Sequence, residues 1–149
     1  MIVLKSAAEL EVMDQATAMV HETLRLVAES AHPGVSTAEL DTLAENHILS
    51  QGGKPAFKGY RGYPATLCTS INEVIVHGIP SRACKLKEGD ILSIDCGVVW
   101  QGYYGDAAMT VAVGEISDEA RRLLSVTRDC LDRAVKTMIP GGRLSDVGD

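Results

Sequence analysis

The sequence predicts an α+β fold, helices packed on an antiparallel sheet, and three features of the chain predict it. Two capped segments of helical period open the chain, a long β-hairpin follows at 90–113, and a third capped helix begins at Ser117.

The first helix is expected from about Ser6 to Glu29. Ser6-Ala7-Ala8-Glu9 has the form of a capping box, and Leu10, Met13, Ala16, Val20, Leu24 and Val27 recur at helical spacing. Pro33-Gly34 ends this segment. Ser36-Thr37-Ala38-Glu39 opens a second helix with Leu40, Leu43, Ile48 and Leu49 on its apolar side, and Gly52-Gly53 stops it. Between Pro55 and Pro64 the chain is rich in Gly and aromatic residues without any period, which reads as a surface loop. Strands are expected at 66–69 and 73–76, and then in the hairpin. Ile91, Leu92, Ile94, Val98, Val99 and Trp100 form one arm; Met109, Val111 and Val113 lie on the other, with Gln101-Gly102 as the turn. Ser117-Asp118-Glu119 caps the third helix, which carries Leu123, Leu124, Leu131, Val135 and Met138.

The third helix ends at Pro140-Gly141 as the first ends at Pro33-Gly34. A short polar helix start follows each, with an apolar residue seven positions after the proline, Leu40 or Val147. The correspondence suggests an internal repeat whose second copy has only begun at Asp149.

Composition bounds the function classes. A length of 149 residues allows one domain, and 46% hydrophobic with 23% charged residues is the profile of a soluble globular chain. The net charge is −6 and no Lys/Arg run exceeds two residues, which disfavours nucleic acid and acidic membranes as partners. The amino terminus lacks a signal-peptide pattern, and no apolar stretch is long enough to span a bilayer. Cysteines at 68, 84, 96 and 130 form no C-x-x-C pair, so buried reduced thiols are expected rather than a zinc ribbon.

Asp95 and Asp106 are the sharpest candidates. An acid among the β-formers around Asp95 is costly unless something pairs with it, and Asp106 returns on the other arm nearly opposite. A cation would relieve the repulsion between two such carboxylates; alternatively Asp106 turns the chain after Gly105 and Asp95 caps local backbone. His77 ends an apolar stretch at Gly78, where it is a donor, base or ligand at a cleft, or an ordinary loop histidine. Phe57, Tyr60 and Tyr63 crowd into one Gly-bearing loop of a chain that is only 4% aromatic, as a pocket wall or as plugs of the core beneath. No phosphate-loop pattern accompanies these glycines.

Asn72-Glu73-Val74 with His77-Gly78-Ile79-Pro80, then Ile94-Asp95 and Gly105-Asp106, closely resembles type I methionine aminopeptidases of the pita-bread metallopeptidase family. The resemblance runs in order from Met1 to Asp149. It implies the first half of a pita-bread fold, with helices on a curved antiparallel sheet, plus the start of the second half. Residues 1–149 are therefore expected to be an incomplete catalytic domain. The implied activity is removal of the initiator methionine from nascent chains by a hydroxide shared between two divalent ions (Co, Mn, Fe or Zn). By resemblance Asp95 chelates one ion, Asp106 bridges both, and His77 contacts substrate at the scissile amide. Phe57, Tyr60, Tyr63 and Cys68 line the methionine side-chain pocket, and the backbone of Asn72 and Val74 holds a monovalent cation. The implied partners are N-terminal methionyl peptides met near the ribosome in the cytoplasm, by a monomeric full-length protein.

One histidine and two glutamates that complete the family's ligand set belong to its second half, as do a further histidine and the glutamate that handles the proton. Two carboxylates alone make a poor transition-metal site, so the isolated chain is expected to be inactive. Two other readings stand beside this one: a half-protein that needs a complementing chain, and a non-catalytic pita-bread binding module.

Overall fold

The computed structural model describes residues 3–148. It divides into two compact units, Met1–Glu115 and Ile116–Asp149.

In the first unit α1 (Ala7–Ser30) and α2 (Thr37–Ser50) begin at the two expected capping boxes. The Ser6 and Ser36 hydroxyls accept the Glu9 and Glu39 N–H groups at 3.3 Å, and the two glutamates accept the serine N–H groups at 2.7 and 2.8 Å. Each box satisfies amide donors that the first helical turn leaves free. α1 buries Ala16, Val20, Thr23, Leu24 and Val27; α2 buries Thr37, Leu40, Ala44 and Ile48. Leu10 and Leu49, expected on the apolar stripes, are about half exposed because they sit at helix ends, in the first turn of α1 and the last of α2.

The helices cover one face of an antiparallel sheet built around β3 (Ile91–Trp100). β4 (Tyr103–Ala112) pairs along one side of β3, while β1 (Lys54–Pro55) and β2 (Leu67–Ile71) pair along the other. Gln101 and Gly102, at φ 47° and 85°, close the hairpin at the predicted place. Left-handed geometry at both positions matches the twist of the flanking strands, which is why Asn/Gly-like pairs favour such turns. Leu92, Ile94, Cys96 and Val98 point into the helices and are fully buried, joined from β4 by Ala107, Met109 and Val111. Gly105 lets α1 approach, since a Cβ there would lie 2.6 Å from the Ala16 backbone.

Four expectations change. β2 runs two residues further than the stretch 66–69, and Pro55 belongs to the two-residue strand β1 rather than to the loop. The stretch 73–76 is not a strand. Asn72 turns the chain at φ 51°, and Val74, Ile75 and Val76 then run exposed (44, 86 and 61%) without a ladder partner among the described residues. Their β-propensity has no neighbouring strand to pair with, and propensity alone does not make a strand. All four cysteines are free, but only Cys68 and Cys96 are buried; Cys84 and Cys130 are exposed.

In the second unit α3 (Asp118–Thr137) is capped by the Ser117 hydroxyl, which accepts the Ala120 N–H at 3.1 Å, and it has no buried residue. Leu123, Leu131, Val135 and Met138 are all more than half exposed. The boundary between the two units falls ahead of α3. The backbone geometry at the ends of α1 and α3 is alike. Ala31 (φ −80°, ψ 83°) and Met138 (φ −78°, ψ 69°) end α1 and α3 alike, and Gly34 and Gly141 follow at φ 93° and 90°. The Ser36 N–H then reaches Glu39, as the Arg143 N–H reaches Asp146, both at 2.8 Å. No helix among the described residues is long and apolar enough to cross a membrane.

Candidate metal centre

The sheet face away from the helices assembles most of the residues singled out by sequence. Side chains alternate along a strand, so Asp95, set between buried Ile94 and Cys96, must point to the opposite face. In the hairpin register Asp95 pairs with Ala108 and Asp106 with Gly97. The two acids, expected at nearly opposed positions, are therefore diagonal neighbours on one face. Diagonal side chains of adjacent strands remain within reach of one another. Burial raises the Asp95 carboxyl above its usual range, the charge of Asp106 raises it further, and His77 partly offsets both. Desolvation at the sheet face raises Asp106 as well. These shifts tie Asp95, Asp106 and His77 into one electrostatic neighbourhood.

His77 is held there by backbone geometry. It takes a left-handed φ of 60°, and the next residue, Gly78, rejoins the edge of β2. The Thr69 N–H donates to the Gly78 carbonyl at 2.8 Å, and the Gly78 N–H donates to Ser70 Oγ at 3.1 Å. A methyl group at position 78 would collide with the Thr69 carbonyl, so only glycine allows this contact.

Gly97 has the same function for Phe57. A Cβ at 97 would lie 2.6 Å from the Phe57 ring, so the ring covers the position paired with Asp106. Cys68 pairs with Asp95 in the β2–β3 register and is 5% exposed. The Tyr63 hydroxyl donates to the Leu67 carbonyl at 2.9 Å and to the Gly78 carbonyl at 3.2 Å, bridging the aromatic loop, β2 and the His77 segment. Burial raises the Tyr63 phenol and the Cys68 thiol, which face each other. Both are neutral at neutral pH, and so the wall beside the two acids is polarizable and uncharged.

Tyr60 stands on the exposed side of the aromatic loop. It is 64% exposed, and the Arg61 guanidinium lies over its ring. Asn72 is committed by its side chain, which donates to Asp90 Oδ1 at 2.9 Å and accepts the Ile91 N–H at 3.0 Å; only its backbone is left to meet an ion.

The donor set present fits a divalent cation in kind and falls short in number. Two carboxylates converge on one face, both raised by burial and Asp95 raised further by the charge of Asp106, and a cation between them would relieve that repulsion. No group of three His, Cys, Asp or Glu side chains suited to a metal occurs among the described residues, whereas catalytic sites normally use three or more. Asp41 and Glu45, which sequence reasoning passed over, anchor the aromatic loop from α2. Their only trace in the sequence is that each follows a buried position of the amphipathic helix, Leu40 or Ala44.

Residues 11–149 match the model of metallopeptidase family M24. The chain is 50% identical over 147 residues to a methionine aminopeptidase of Clostridium acetobutylicum, covering 99% of this chain and 59% of that protein. It is 48% identical over 143 residues to methionine aminopeptidase 1 of Mycobacterium tuberculosis, covering 96% of this chain and 54% of that one. The crystal structure of a Thermotoga maritima methionine aminopeptidase superposes with a TM-score of 0.89 at 43% identity, over 93% of this chain and 55% of that structure. The chain thus spans just over half the length of these relatives.

Proposed function

Since this chain belongs to metallopeptidase family M24, we propose that it supplies the first-half machinery of a methionine aminopeptidase, which removes the initiator methionine from nascent proteins in the cytoplasm. The observation that carries the proposal is the convergence of Asp95, Asp106, His77 and Phe57 on the sheet face away from the helices.

Asp95 would be a ligand to one divalent ion, and Asp106 would be shared between two. Such ions supply Lewis-acid polarisation of an amide carbonyl and acidify a water molecule. The chain's own residues do the rest. Gly78, locked to β2, sets the His77 imidazole beside the acids, where it can donate to the developing charge at the scissile amide. Phe57, Tyr63 and Cys68 offer a neutral aromatic and sulfur wall suited to a thioether side chain, with Tyr60 at its exposed rim. The backbone of Asn72 and Val74 would take a monovalent cation.

The test joins residues 1–149 to the carboxy-terminal part of the Clostridium acetobutylicum relative that lies beyond the matched region. This chimera is expected to cleave Met-Ala-Ser with added Co or Mn, and Asp106→Asn is expected to lower kcat/KM by at least about 100-fold, the scale on which losing charge stabilisation at a reacting centre is felt. The 149-residue chain alone is expected to show no turnover. Cleavage by the chain alone, or an Asp106→Asn chimera of normal activity, would refute the proposal.

A further inference from the structure

Taking the loop that carries Phe57 and Tyr63 as the wall of the side-chain pocket, we infer that Asp41 and Glu45 of α2 are positioning residues that fix the wall by clipping both ends of its loop to one helix. The loop has little of its own to hold it. Gly59, Arg61 and Gly62 are left-handed, at φ 88°, 48° and 84°. Its internal backbone bonds, Gly59 N–H to Tyr63 O at 2.8 Å and Tyr63 N–H to Tyr60 O at 2.9 Å among them, shape the loop without attaching it to anything.

The Ala56 N–H ties the loop's start to the Gly97 carbonyl of β3 at 2.9 Å, and the Tyr63 hydroxyl ties its end to β2; attachment to a helix comes from α2. At the near end Lys58 Nζ donates to Glu45 Oε1 at 2.6 Å. At the far end Asp41 Oδ1 accepts two consecutive amides, Thr66 N–H at 2.9 Å and Leu67 N–H at 2.7 Å. The two acids are four residues apart and so share a side of the helix. Each adjoins a buried residue, Leu40 or Ala44, so both stand on the part of α2 anchored in the core.

The far clip reaches the pocket directly. Leu67 gives its N–H to Asp41 and its carbonyl to the Tyr63 hydroxyl, and the same hydroxyl reaches Gly78 next to His77. Thr66 reinforces the point: its own Oγ1 is buried without a partner among the described residues, while its N–H is held by Asp41. The two clips differ in strength. Bonds to a half-buried carboxylate are charge-assisted and shielded from water, whereas Lys58 and Glu45 are 46% and 28% exposed, and ion pairs of that kind hold weakly.

The test is residue-resolved amide hydrogen exchange on the 149-residue chain. Asp41→Ala is expected to speed exchange about tenfold or more at Thr66, Leu67, Gly59 and Tyr63, and to leave the β3–β4 ladder unchanged. Asp41→Asn keeps an acceptor oxygen without its charge and should fall between. Glu45→Gln should change the Gly59 and Tyr63 amides by less than about threefold. If Asp41→Ala does not fold, the Asp41→Asn and Glu45→Gln pair decides the matter. Unchanged exchange at Thr66, Leu67 and the loop, or ladder amides that speed up equally, would overturn the assignment. Exchange reads the clips without any turnover, so their failure and failure of the peptidase reading are separate results.

Discussion

On the face of β3 that meets the helices, Leu92, Ile94, Cys96 and Val98 are fully buried; on the other, Ser93, Asp95 and Gly97 alternate with them one residue apart. The first face holds the fold together. The second carries two acids whose pKa values burial raises, and a glycine that leaves room for an aromatic ring. A strand keeps these tasks separate because its side chains have a period of two, so a change on one face barely disturbs packing on the other.

The largest contrast comes from neighbouring residues. Ile94→Ala opens a cavity among Leu24, Val27 and their partners, and is expected to cost about 2–5 kcal/mol in urea unfolding. Asp95→Asn, one residue on, is expected to raise the urea midpoint slightly at pH 7 in chelator. Burial and the charge of Asp106 both disfavour the Asp95 carboxylate, so removing its charge relieves the folded state. An Asp95→Asn variant destabilised as much as Ile94→Ala would mean that the open face also bears the fold.

Two glycines sharpen the same contrast. A methyl at Gly105 would meet the backbone of Ala16 and Thr17 at 2.6–2.7 Å, and a helix backbone cannot yield locally. Gly105→Ala is therefore expected to cost about 1–3 kcal/mol by thermal or urea unfolding. At Gly97 the methyl would meet the Phe57 ring at 2.6 Å, and a ring on a loop can swing away. Gly97→Ala should cost less, and its main trace should be a shifted Phe57 resonance. Equal losses at the two positions would show that Phe57 is packed as rigidly as α1.

Much of this was legible in the sequence, for reasons that also explain the gaps. Ser6 and Ser36 announce their helices because capping is a local bond three residues long. Gln101-Gly102 announces the hairpin because two left-handed residues fit its twist. The resemblance brought together Asp95, Asp106, His77, Phe57, Tyr63 and Cys68, and the fold does place these side by side. What stayed hidden depends on non-local pairing. The 73–76 stretch has strand-like residues and no strand beside it among the described residues. The bonds of Asp41 do not show in sequence because its partners are backbone amides 25 and 26 residues away.

The smallest expected effect sets a carboxylate on the helix side against those of the open face. Glu9 accepts the Ser6 N–H and hydroxyl at 2.7 and 2.8 Å, and the Tyr103 hydroxyl of β4 at 2.7 Å. The Ser6 amide first, then Tyr103, lowers its pKa from an ordinary 4.5 to about 2. A depressed folded-state pKa means that the unfolded chain binds the proton more readily. The stability contributed by Glu9 is thus fully present above about pH 4.5 and is lost as pH falls through about 2. Asp95 has the opposite sign: its raised pKa favours the folded state at low pH, and that advantage is lost as pH rises through the folded-state value. The Glu9 effect is small because the side chain is open to water and salt. The wild-type urea midpoint should exceed that of Glu9→Gln at pH 6, and the gap should shrink toward zero near pH 2. For Asp95→Asn the ordering should reverse, with the variant ahead at pH 6 and the two converging in acid. A Glu9→Gln gap that stayed constant or widened in acid would mean that the carboxylate gives α1 and β4 nothing that a neutral amide could not.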